Sequence, residues 1–518
     1  MPTAPDHTLW SLLGLHADRD AEAVLLAAPE GVVTREEMRL RAGQLAAGLV
    51  ELGVRQADRV AVHAANRVEH LELLFALNAI GATYCPIHPD LRGSSLRHVV
   101  DLLEPAAAFV DADRADRWGP EAASGGFPRV LLDDGVPGPE GSIPFSGLRL
   151  DAEVREAQDP SAPALILMTS GTTGRSKGVL ISSRFALSTA KVNVRKRAIS
   201  SADRLHTAYS FCHTNPHCFT FFPALVAGAS MSWSQRFSVS RFWSELRSAG
   251  VTQFSLFTAP MLMLLGSEPT EHDRTHGASV CLSIGTPRGR GMEFEDRFGV
   301  RLVEAYGMTE CGAITFQPEW GRRIESAGKP VEEWDVRVVD ASQETVMPGQ
   351  VGEIVGRPLR RGMLMDGYFR DERATLETLT DLWFHTNDLG YFDEDGYLWY
   401  VGRAKDVIRY RGENISAADV EETVRATKLV EDVAAVALSS ELGEDDLLLV
   451  VVPTQANLDP QALYAALARD LPRYCLPRHI RFVPELPRTM TGRVVKDALR
   501  TQGVTADTWT QPTARVSA

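Results

Sequence analysis

The sequence predicts an α/β protein that has largely parallel sheets and more than one domain. Short apolar runs alternate with helical patterns through the first third of the chain, which is typical of parallel sheets covered by helices. Around residues 340 to 400, short strands separated by Gly, Pro and Asp turns indicate a small β-rich subdomain instead. A chain of 518 residues is also too long for one hydrophobic core.

The spacing of apolar residues predicts the elements of the first part. Leu40, Leu45 and Leu49 recur at helical spacing, whereas the run RVAVH is short and apolar and is therefore typical of a buried strand. The predicted elements are a helix over 35–52, a strand over 59–63, a helix over 69–81, and strands over 82–86, 164–168 and 301–303.

A new α/β pattern begins after residue 402. Its predicted elements are a helix over 417–427, strands over 434–438 and 447–452, and a helix over 460–470. We therefore predict a large N-terminal domain over 1–402, which includes the β-rich subdomain, and a small α+β domain over 403–518. The residues from Thr501 onward are predicted to form a disordered tail.

Composition restricts the classes of function. The net charge of −14 argues against a general nucleic-acid binder, which needs a basic surface to neutralise phosphates. The N-terminal ten residues lack the basic and apolar regions of a signal peptide, and no apolar run approaches the ~20 residues of a membrane span. We expect a soluble cytoplasmic enzyme that binds neither nucleic acid nor membrane.

The six cysteines include no CxxC pair, so neither a disulfide framework nor a common zinc motif is indicated. Cys212, His213, His217 and Cys218 do lie close together in sequence and would permit a zinc site. The favoured interpretation is that these side chains line a pocket.

The segment MTSGTTGRSKG at 168–178 follows a predicted apolar strand. Its glycines permit a tight turn whose N–H groups face an anion, and its hydroxyls and lysine add further donors. The residues concerned are Thr169, Ser170, Gly171, Thr172, Thr173, Gly174 and Lys177. The lysine follows a serine and precedes no hydroxyl residue, so this is not a Walker loop. We favour a polyphosphate site over a Gly/Ser/Thr-rich surface loop.

This loop resembles the signature phosphate loop TSGTTGxPKG of the adenylate-forming superfamily, which includes acyl-CoA synthetases, peptide-synthetase adenylation domains and beetle luciferases. Three further motifs follow in the order of that family, at 304–310 (EAYGMTE), 383–390 (WFHTNDLG) and 400–415. The resemblance covers nearly the whole chain. The segments CHTN at 212–215 and RGEN at 411–414 are most similar to the carnitine/crotonobetaine CoA-ligase-like branch.

The resemblance implies an ATP-dependent, AMP-forming ligase that activates a carboxylic acid as an acyl-adenylate and transfers it to CoA, with Mg²⁺ as cofactor. Tyr306 would stack on adenine, Asp388 would accept both ribose hydroxyls, and Arg403 would reach the ribose or a phosphate. The nucleotide set also includes Gly285, Thr286, Pro287, Ala305 and Gly307.

The catalytic residues that the resemblance implies are Lys177, Thr309 at the α-phosphate, Glu310 at Mg²⁺, and a lysine near the C-terminus. The chain has Arg493 where that lysine is usual, and Lys496 lies three residues further on. Arginine keeps the charge with a different geometry, so we predict Arg493 as the catalytic residue and Lys496 as the alternative. Lys405 falls at the hinge about which the small domain moves, and Gly412 in the acceptor tunnel.

The acid pocket is expected around His213, Asn215 and Met308. A purely structural role for His213 remains an alternative. Amino-acid-activating relatives place an aspartate in this region, and none is present here, so we predict an aromatic, aliphatic or carnitine-like acid. Three further departures from the family pattern are Ser176 for proline, Ser183 for histidine and Asn387 for glycine.

Alternatives to acyl transfer to CoA stay open. Adenylation for a non-CoA acceptor, either a carrier protein or an aromatic amine, is the second hypothesis. It includes ATP- and nitrite-dependent diazotisation, a reaction attributed to members of this branch. A non-catalytic nucleotide-binding protein is disfavoured because Lys177, Glu310, Asp388 and Arg403 are all present. A homodimer is also left open.

Overall fold

The computed structural model describes residues 7–118, 127–136, 141–153, 156–157, 159–169, 176–287, 289–403, 408–410, 413–415, 417–439, 445–455, 457–487, 494 and 496–512.

The described helices include one, α3, that is buried along nearly its whole surface. The α-helices are α1 (Leu9–Arg19), α2 (Arg35–Glu51), α3 (Val68–Ile80), α4 (Gly93–Leu103), α5 (Ser183–Arg197), α6 (Phe222–Ala227), α7 (Phe242–Ser248), α8 (Thr258–Leu265), α9 (Gly291–Phe298), α10 (Glu372–Thr378), α11 (Ala417–Ala426), α12 (Pro460–Asp470) and α13 (Lys496–Gln502). Every residue of α3 except Glu69 is buried, as expected for a helix with apolar residues on all faces.

The β-strands form several sheets. In chain order they are β1 (Val24–Ala28), β2 (Gly31–Thr34), β3 (Arg59–His63), β4 (Thr83–Pro86), β5 (Ala107–Val110), β6 (Arg129–Leu131), β7 (Ile143–Pro144), β8 (Pro163–Thr169), β9 (Lys177–Ser182), β10 (Arg204–Thr207), β11 (Ser230–Trp233), β12 (Gln253–Phe257), β13 (Val280–Ile284), β14 (Arg301–Met308), β15 (Gly312–Phe316), β16 (Lys329–Pro330), β17 (Trp334–Val339), β18 (Gly352–Pro358), β19 (Gly367–Tyr368), β20 (Leu379–Thr380), β21 (Trp383–Phe392), β22 (Leu398–Arg403), β23 (Ile408–Tyr410), β24 (Glu413–Ile415), β25 (Val430–Ser439), β26 (Asp445–Pro453), β27 (His479–Phe482) and β28 (Trp509–Thr510).

Two large sheets have parallel centres. One has the order β16-β15-β14-β13-β12-β10-β11-β1-β2, in which the pairs from β14 through to β1 are parallel and the outer pairs antiparallel. The other has the order β19-β9-β8-β4-β3-β5-β6-β7. In it, each pair of neighbours between β8 and β7 is parallel. A five-stranded antiparallel sheet of β17, β18, β20, β21 and β22 forms the β-rich part.

Local sequence signals explain where helices begin and end. Thr34 precedes α2, accepts a hydrogen bond from the Glu37 N–H, and donates its own N–H to the Glu37 carboxylate, which is a capping box. Gly81 ends α3 with a left-handed backbone, φ 73°, which glycine adopts without steric cost.

The chain divides into two compact units. Unit 1 comprises Met1–Pro89, Val100–Met168 and Gly178–Ala404; unit 2 comprises Asp90–Val99, Thr169–Lys177 and Lys405–Ala518. Unit 2 contains a four-stranded sheet, β25-β26-β27-β28, and the hairpin β23–β24. Its core includes Val433, Leu449 and Leu463, all at most 1% exposed.

The predicted fold class, with mostly parallel sheets, a β-rich part and a smaller α+β part, is confirmed. One detail is wrong. The predicted disordered tail begins too early, because α13 runs to Gln502 and Trp509 of β28 pairs with Ile480 of β27. No helix within the described part of the chain combines the length and apolar character that crossing a membrane requires.

Candidate active site

Four neighbouring parallel strands of the nine-stranded sheet end at the same edge. They are β10, β12, β13 and β14. Ligand-binding groups of open α/β sheets collect at the carboxyl ends of the strands. Here the segments that follow these ends contain Thr214, Gly285–Pro287, Thr309 and Glu310, most of them predicted site residues. The fold therefore gathers residues from distant parts of the sequence.

Tyr306 and Asp388 form a buried hydrogen bond. The Tyr306 hydroxyl donates to Oδ2 of Asp388 at 2.8 Å, and the two residues are 8% and 2% exposed. Burial first, and then the Asp388 charge, raise the pKa of the Tyr306 phenol, so it remains a neutral donor at pH 7. Asp388 lies on β21, where its backbone pairs with Arg403 of β22. The bond fixes the orientation of the carboxylate.

Asn387 precedes this aspartate and has a left-handed backbone conformation, φ 56°. Glycine adopts this region freely, and asparagine tolerates it better than most other residues. The Asn387 N–H donates to Oε1 of Glu353 at 3.0 Å, which holds the turn. The departure from the family's glycine at this position therefore preserves the required backbone geometry.

Thr309 contacts the segment that follows β10. Its Oγ1 lies 2.5 Å from Oγ1 of Thr214, and either hydroxyl serves as the donor. Gly307, two residues earlier, has no space for a side chain, because a Cβ there would lie 1.8 Å from the Gly312 carbonyl oxygen. The strand pair β14–β15 thus fixes the position of Thr309 closely.

Glu310 is 8% exposed and accepts a hydrogen bond from the Tyr368 hydroxyl at 2.8 Å from Oε1. Burial and the neighbouring Glu310 charge raise the pKa of the Tyr368 phenol, so it too remains a donor. A carboxylate with one oxygen oriented in this way is a hard ligand of the kind that Mg²⁺ prefers.

Glu304 lies at the start of the same motif, 6% exposed. Its Oε1 accepts a hydrogen bond of 3.3 Å from the Thr286 N–H, and Thr286 Oγ1 lies 2.8 Å from Ser283 Oγ. Burial raises the pKa of the Glu304 carboxyl to about 7. Gly285, with φ 84°, begins this turn. The buried glutamate therefore holds the backbone of the predicted adenine-contacting segment.

Two protein-family models match the sequence over most of the chain. The model of the AMP-binding enzyme family matches residues 15–369, and that of the AMP-binding enzyme C-terminal domain matches residues 419–493. The chain belongs to the AMP-binding enzyme family.

Curated relatives in this family are CoA ligases. The sulfoacetate–CoA ligase of Cupriavidus necator is 31% identical over 501 residues, which cover 94% of this chain and 96% of that protein. A crotonobetaine/carnitine–CoA ligase of Salmonella heidelberg is 26% identical, covering 95% and 98%. The resemblance and the enzyme class predicted from the motifs, an AMP-forming acid ligase of the acyl-CoA synthetase type, are thus confirmed.

Solved structures support the same fold. A double mutant of o-succinylbenzoate CoA synthetase from Bacillus subtilis superposes with a TM-score of 0.83, covering 95% of this chain and 98% of that chain at 23% identity. At this identity the likeness shows the fold alone.

Several predicted site residues of this family member lie outside the described residues. They are Ser170, Gly171, Thr172, Thr173, Gly174, Lys405, Gly412 and Arg493, together with the side chain of Arg403. Thr169 ends β8 and Lys177 begins β9, which are neighbouring strands of one sheet. The phosphate loop therefore connects two adjacent strands, and its ligand contacts stay a prediction.

The predicted acid-pocket residues differ in environment. Met308 and His213 are half-buried, whereas Asn215 is 3% exposed and its Oδ1 accepts a hydrogen bond from Ser255 Oγ at 2.8 Å. Asn215 therefore joins the turn to strand β12. His217 is fully buried, bonds the Phe211 carbonyl oxygen through Nε2 at 2.6 Å, and has a pKa lowered to about 4 by burial. It is a neutral structural histidine.

Residues 215–221 form a π-helix between this turn and α6. Such helices are rare and occur frequently at functional sites. Arg197, only 1% exposed, donates to the Phe219 carbonyl oxygen at 2.6 Å and to Gln253 Oε1 at 3.2 Å. Burial lowers the pKa of this guanidinium to about 10. The arginine satisfies a carbonyl within the irregular helix.

Lys496 begins α13 and forms an ion pair of 2.7 Å with Glu421 of α11. Oε1 of the same glutamate also accepts the Ala435 N–H at 2.9 Å. All three residues belong to unit 2, so the pair joins two helices and a strand of that unit. This gives Lys496 a structural role in the described conformation.

The residues that sequence reasoning missed are the partners of the motif residues. Thr214 and Tyr368 lie 95 and 58 positions from Thr309 and Glu310, respectively. Tyr368 lies within the segment predicted as β-rich, at the end of β19, and has no motif of its own. Thr214 does lie in the CHTN segment, so its proximity to the predicted pocket was the available signal.

Proposed function

We propose that the protein activates a carboxylic acid with ATP and transfers the acyl group to CoA. The observation that carries this proposal is the group Tyr306–Asp388, Thr309–Thr214 and Glu310–Tyr368, brought together on unit 1 by a sheet edge of an AMP-binding enzyme. An aromatic ring beside a carboxylate suits a nucleoside, and a hydroxyl beside a second carboxylate suits a metal-bound phosphate.

The first half-reaction joins two anions, so charge must be neutralised before attack. A carboxylate oxygen of the acid attacks the α-phosphorus, the bond to the bridging oxygen breaks, and pyrophosphate leaves. Lys177 and the N–H groups of the glycine-rich loop would hold the leaving phosphates, and Thr309 would donate to an α-phosphate oxygen. Holding the acid in line with that phosphorus supplies the entropic part of catalysis.

The carboxylate of Glu310, oriented by Tyr368, would hold Mg²⁺. The ion would polarise phosphate oxygens when bound. A hard oxygen donor in a mostly buried position fits this ion, whereas Cys311 beside it is a soft ligand and is buried away with its pKa raised by burial.

In the second half-reaction the thiol sulfur of CoA attacks the acyl carbon and AMP leaves. We propose that residues 1–402 bind acid and ATP and that 403–518 form the mobile domain, with Lys405 at the hinge and Gly412 in the acceptor tunnel. Arg493 would contact the carboxylate and the α-phosphate. Two relatives are named as CoA ligases, one for sulfoacetate and one for crotonobetaine or carnitine. These names support CoA as the acceptor here.

The acid is proposed to lack an α-ammonium group. The turn that follows β10 offers the hydroxyl of Thr214, the imidazole of His213 and the thiol of Cys212, with no carboxylate in 208–215 to pair an ammonium. A relative named indoleacetate–CoA ligase, from Aromatoleum aromaticum, is 30% identical. Aromatic and aliphatic acids are therefore the first to test.

The test is a panel of acids assayed for AMP, pyrophosphate and thioester, each with and without CoA. We expect thioester with at least one acid, with AMP and pyrophosphate formed in equal amounts. The same panel with nitrite in place of the acid, plus an aromatic amine, examines the alternative acceptor chemistry. AMP release with nitrite and none with any acid would contradict the proposal.

A further inference from the structure

A cluster of side chains that can bind a metal shares His213 with the predicted acid pocket and includes none of the predicted nucleotide-binding residues. His88, Cys212 and His213 each offer one ligand atom, and these three atoms all lie within 4.8 Å of one another. All three residues belong to unit 1. We propose that they form a binding site for a divalent transition-metal ion, for which zinc is the best match. Imidazole and thiolate are both zinc ligands, and a site with three protein ligands keeps the fourth tetrahedral position open.

The imidazole rings already have the separation that an ion requires. Two imidazoles bound tetrahedrally at about 2.0–2.1 Å place their ring centroids about 5.2 Å apart. The centroids of His88 and His213 are 5.5 Å apart, with planes inclined by 61°. Tetrahedral geometry places the ligand atoms themselves about 3.3–3.7 Å apart. The ligand atoms must therefore approach one another by at most about 1.5 Å, which side-chain rotation supplies.

The backbone around His88 is fixed by its neighbours. The Ile87 N–H donates to the Val62 carbonyl oxygen at 2.8 Å, which extends the parallel pairing of β3 and β4. The Pro89 carbonyl oxygen accepts from Arg114 Nε at 3.0 Å and Arg117 Nη1 at 2.7 Å. A residue before proline is also restricted to extended backbone. His88 therefore lies on a rigid segment, which lowers the conformational entropy that is lost when a metal ion binds.

Cys212 and His213 lie in a tight turn that follows strand β10 of the nine-stranded sheet, whereas His88 follows strand β4 of the eight-stranded sheet. The His213 N–H donates to the Ser210 carbonyl oxygen at 3.0 Å, which closes the turn. Cys212 is 6% exposed, while the two histidines are half-buried. The thiol thus lies at the inner side of the cluster and the imidazoles at the accessible side. The fourth coordination position is therefore taken by water or by a donor atom of the bound acid.

The proposed metal ligands are not the four residues Cys212, His213, His217 and Cys218 that lie close together in sequence. His217 is committed to the Phe211 carbonyl oxygen, and Cys218 is 1% exposed with its pKa raised to about 12 by burial. His88, which is 124 positions before Cys212 in the chain, takes their place. Only the fold brings it to the cluster.

Cobalt(II) titration of the full-length protein tests the site without requiring ATP, acid or turnover. We expect one cobalt ion per chain, a thiolate-to-cobalt charge-transfer band in the near ultraviolet, and visible bands of tetrahedral intensity that zinc abolishes. Cys212→Ser should remove the charge-transfer band. His88→Gln and His213→Gln should each weaken binding at least tenfold, since even partners that only orient metal ligands are worth ~10–100-fold.

Matched controls separate this site from adventitious ligands. Cys475→Ser alters the half-buried cysteine of unit 2, and His272→Gln alters a histidine whose side chain is 59% exposed; both should leave the spectrum unchanged. Thermal unfolding and ATP binding check that each variant is folded. If Cys212→Ser does not fold, the two histidine variants decide. A wild-type spectrum without the charge-transfer band, or cobalt affinities equal in wild type, His88→Gln and His213→Gln, overturns the proposal.

Discussion

The Tyr306 hydroxyl donates a hydrogen bond to Asp388 across 82 positions of the sequence and joins the two parts of the proposed nucleoside site. Tyr306 lies in the antiparallel outer part of the nine-stranded sheet, and Asp388 lies on the separate five-stranded, β-rich sheet. The proposed adenine-stacking ring and the proposed ribose-binding carboxylate are therefore mechanically coupled. A change in either is expected to affect the other.

Asp388→Ala should weaken ATP binding by at least tenfold, because hydrogen bonds to a charged acceptor are each worth about 1.5–3 kcal/mol. Tyr306→Phe keeps the ring and removes the hydroxyl that donates to Asp388, so its effect should be smaller. Isothermal titration of ATP into both variants and the double variant gives the coupling energy. Additive losses would show that the hydroxyl does not position the carboxylate.

Arg493→Ala should slow acyl-adenylate formation about 100-fold, since loss of one preorganised donor to developing charge typically costs that much. Lys496→Ala should instead lower stability by ~1 kcal/mol through loss of the Glu421 pair, with adenylation changed only a few-fold. Single-turnover AMP formation, thioester formation from preformed adenylate, and thermal unfolding distinguish the two. The reverse pattern would assign the catalytic role to Lys496.

Tyr368→Phe should raise the Mg²⁺ concentration needed for half-maximal activity by about tenfold or less, because Glu310 loses the donor that orients it. The maximal rate at saturating Mg²⁺ should change less. Tyr391→Phe, which alters a tyrosine stacked on Trp399, is the matched control. Equal Mg²⁺ requirements in all three proteins would remove Tyr368 from the proposed metal site.

Glu304→Gln should reduce the dependence of stability on pH. Burial raises the folded-state pKa of Glu304 to about 7 from its ordinary value of 4.5, so the folded carboxyl retains a proton that the unfolded chain has lost. The contribution of the Glu304 carboxyl to the free energy of unfolding is complete below about pH 4.5 and is lost as pH rises through 7. Between about pH 5.5 and 8 this loss amounts to ~2 kcal/mol. Thermal midpoints at both values should differ more in wild type than in the variant, with exposed Glu394→Gln behaving like wild type.

Asn387→Val should destabilise the protein by about 1–2 kcal/mol, because a β-branched residue does not tolerate positive φ. Asn387→Gly should remain close to wild type. Because Asp388 is the next residue, the valine variant should also bind ATP more weakly. Calorimetric unfolding and ATP titration measure both effects, and equal stability of the two variants would contradict the backbone explanation.

The sequence was sufficient to predict which residues of a local motif lie close together. Tyr306, Thr309 and Glu310 share one strand–turn segment, and their relative spacing is fixed by the backbone alone. Their partners Thr214 and Tyr368 come from other elements, and their pairing depends on strand order and packing that local patterns do not encode.

Long-range packing also decides details of the fold that the sequence pattern leaves open. Helical spacing predicts α2 but does not decide which side of the helix faces its neighbours, and Leu40 is 56% exposed. The polar C-terminal segment was predicted as disordered because its ordering comes from Trp509 adding a short strand to β27, a long-range pairing.

The π-helix at 215–221 contains more residues per turn than the α-helix that continues from it. Deletion of a single residue there would let the segment wind as a regular α-helix and would shift the Thr214 turn relative to α6. Loss of one in-frame codon would therefore reshape the proposed acid pocket, a change that point substitution of its side chains does not provide.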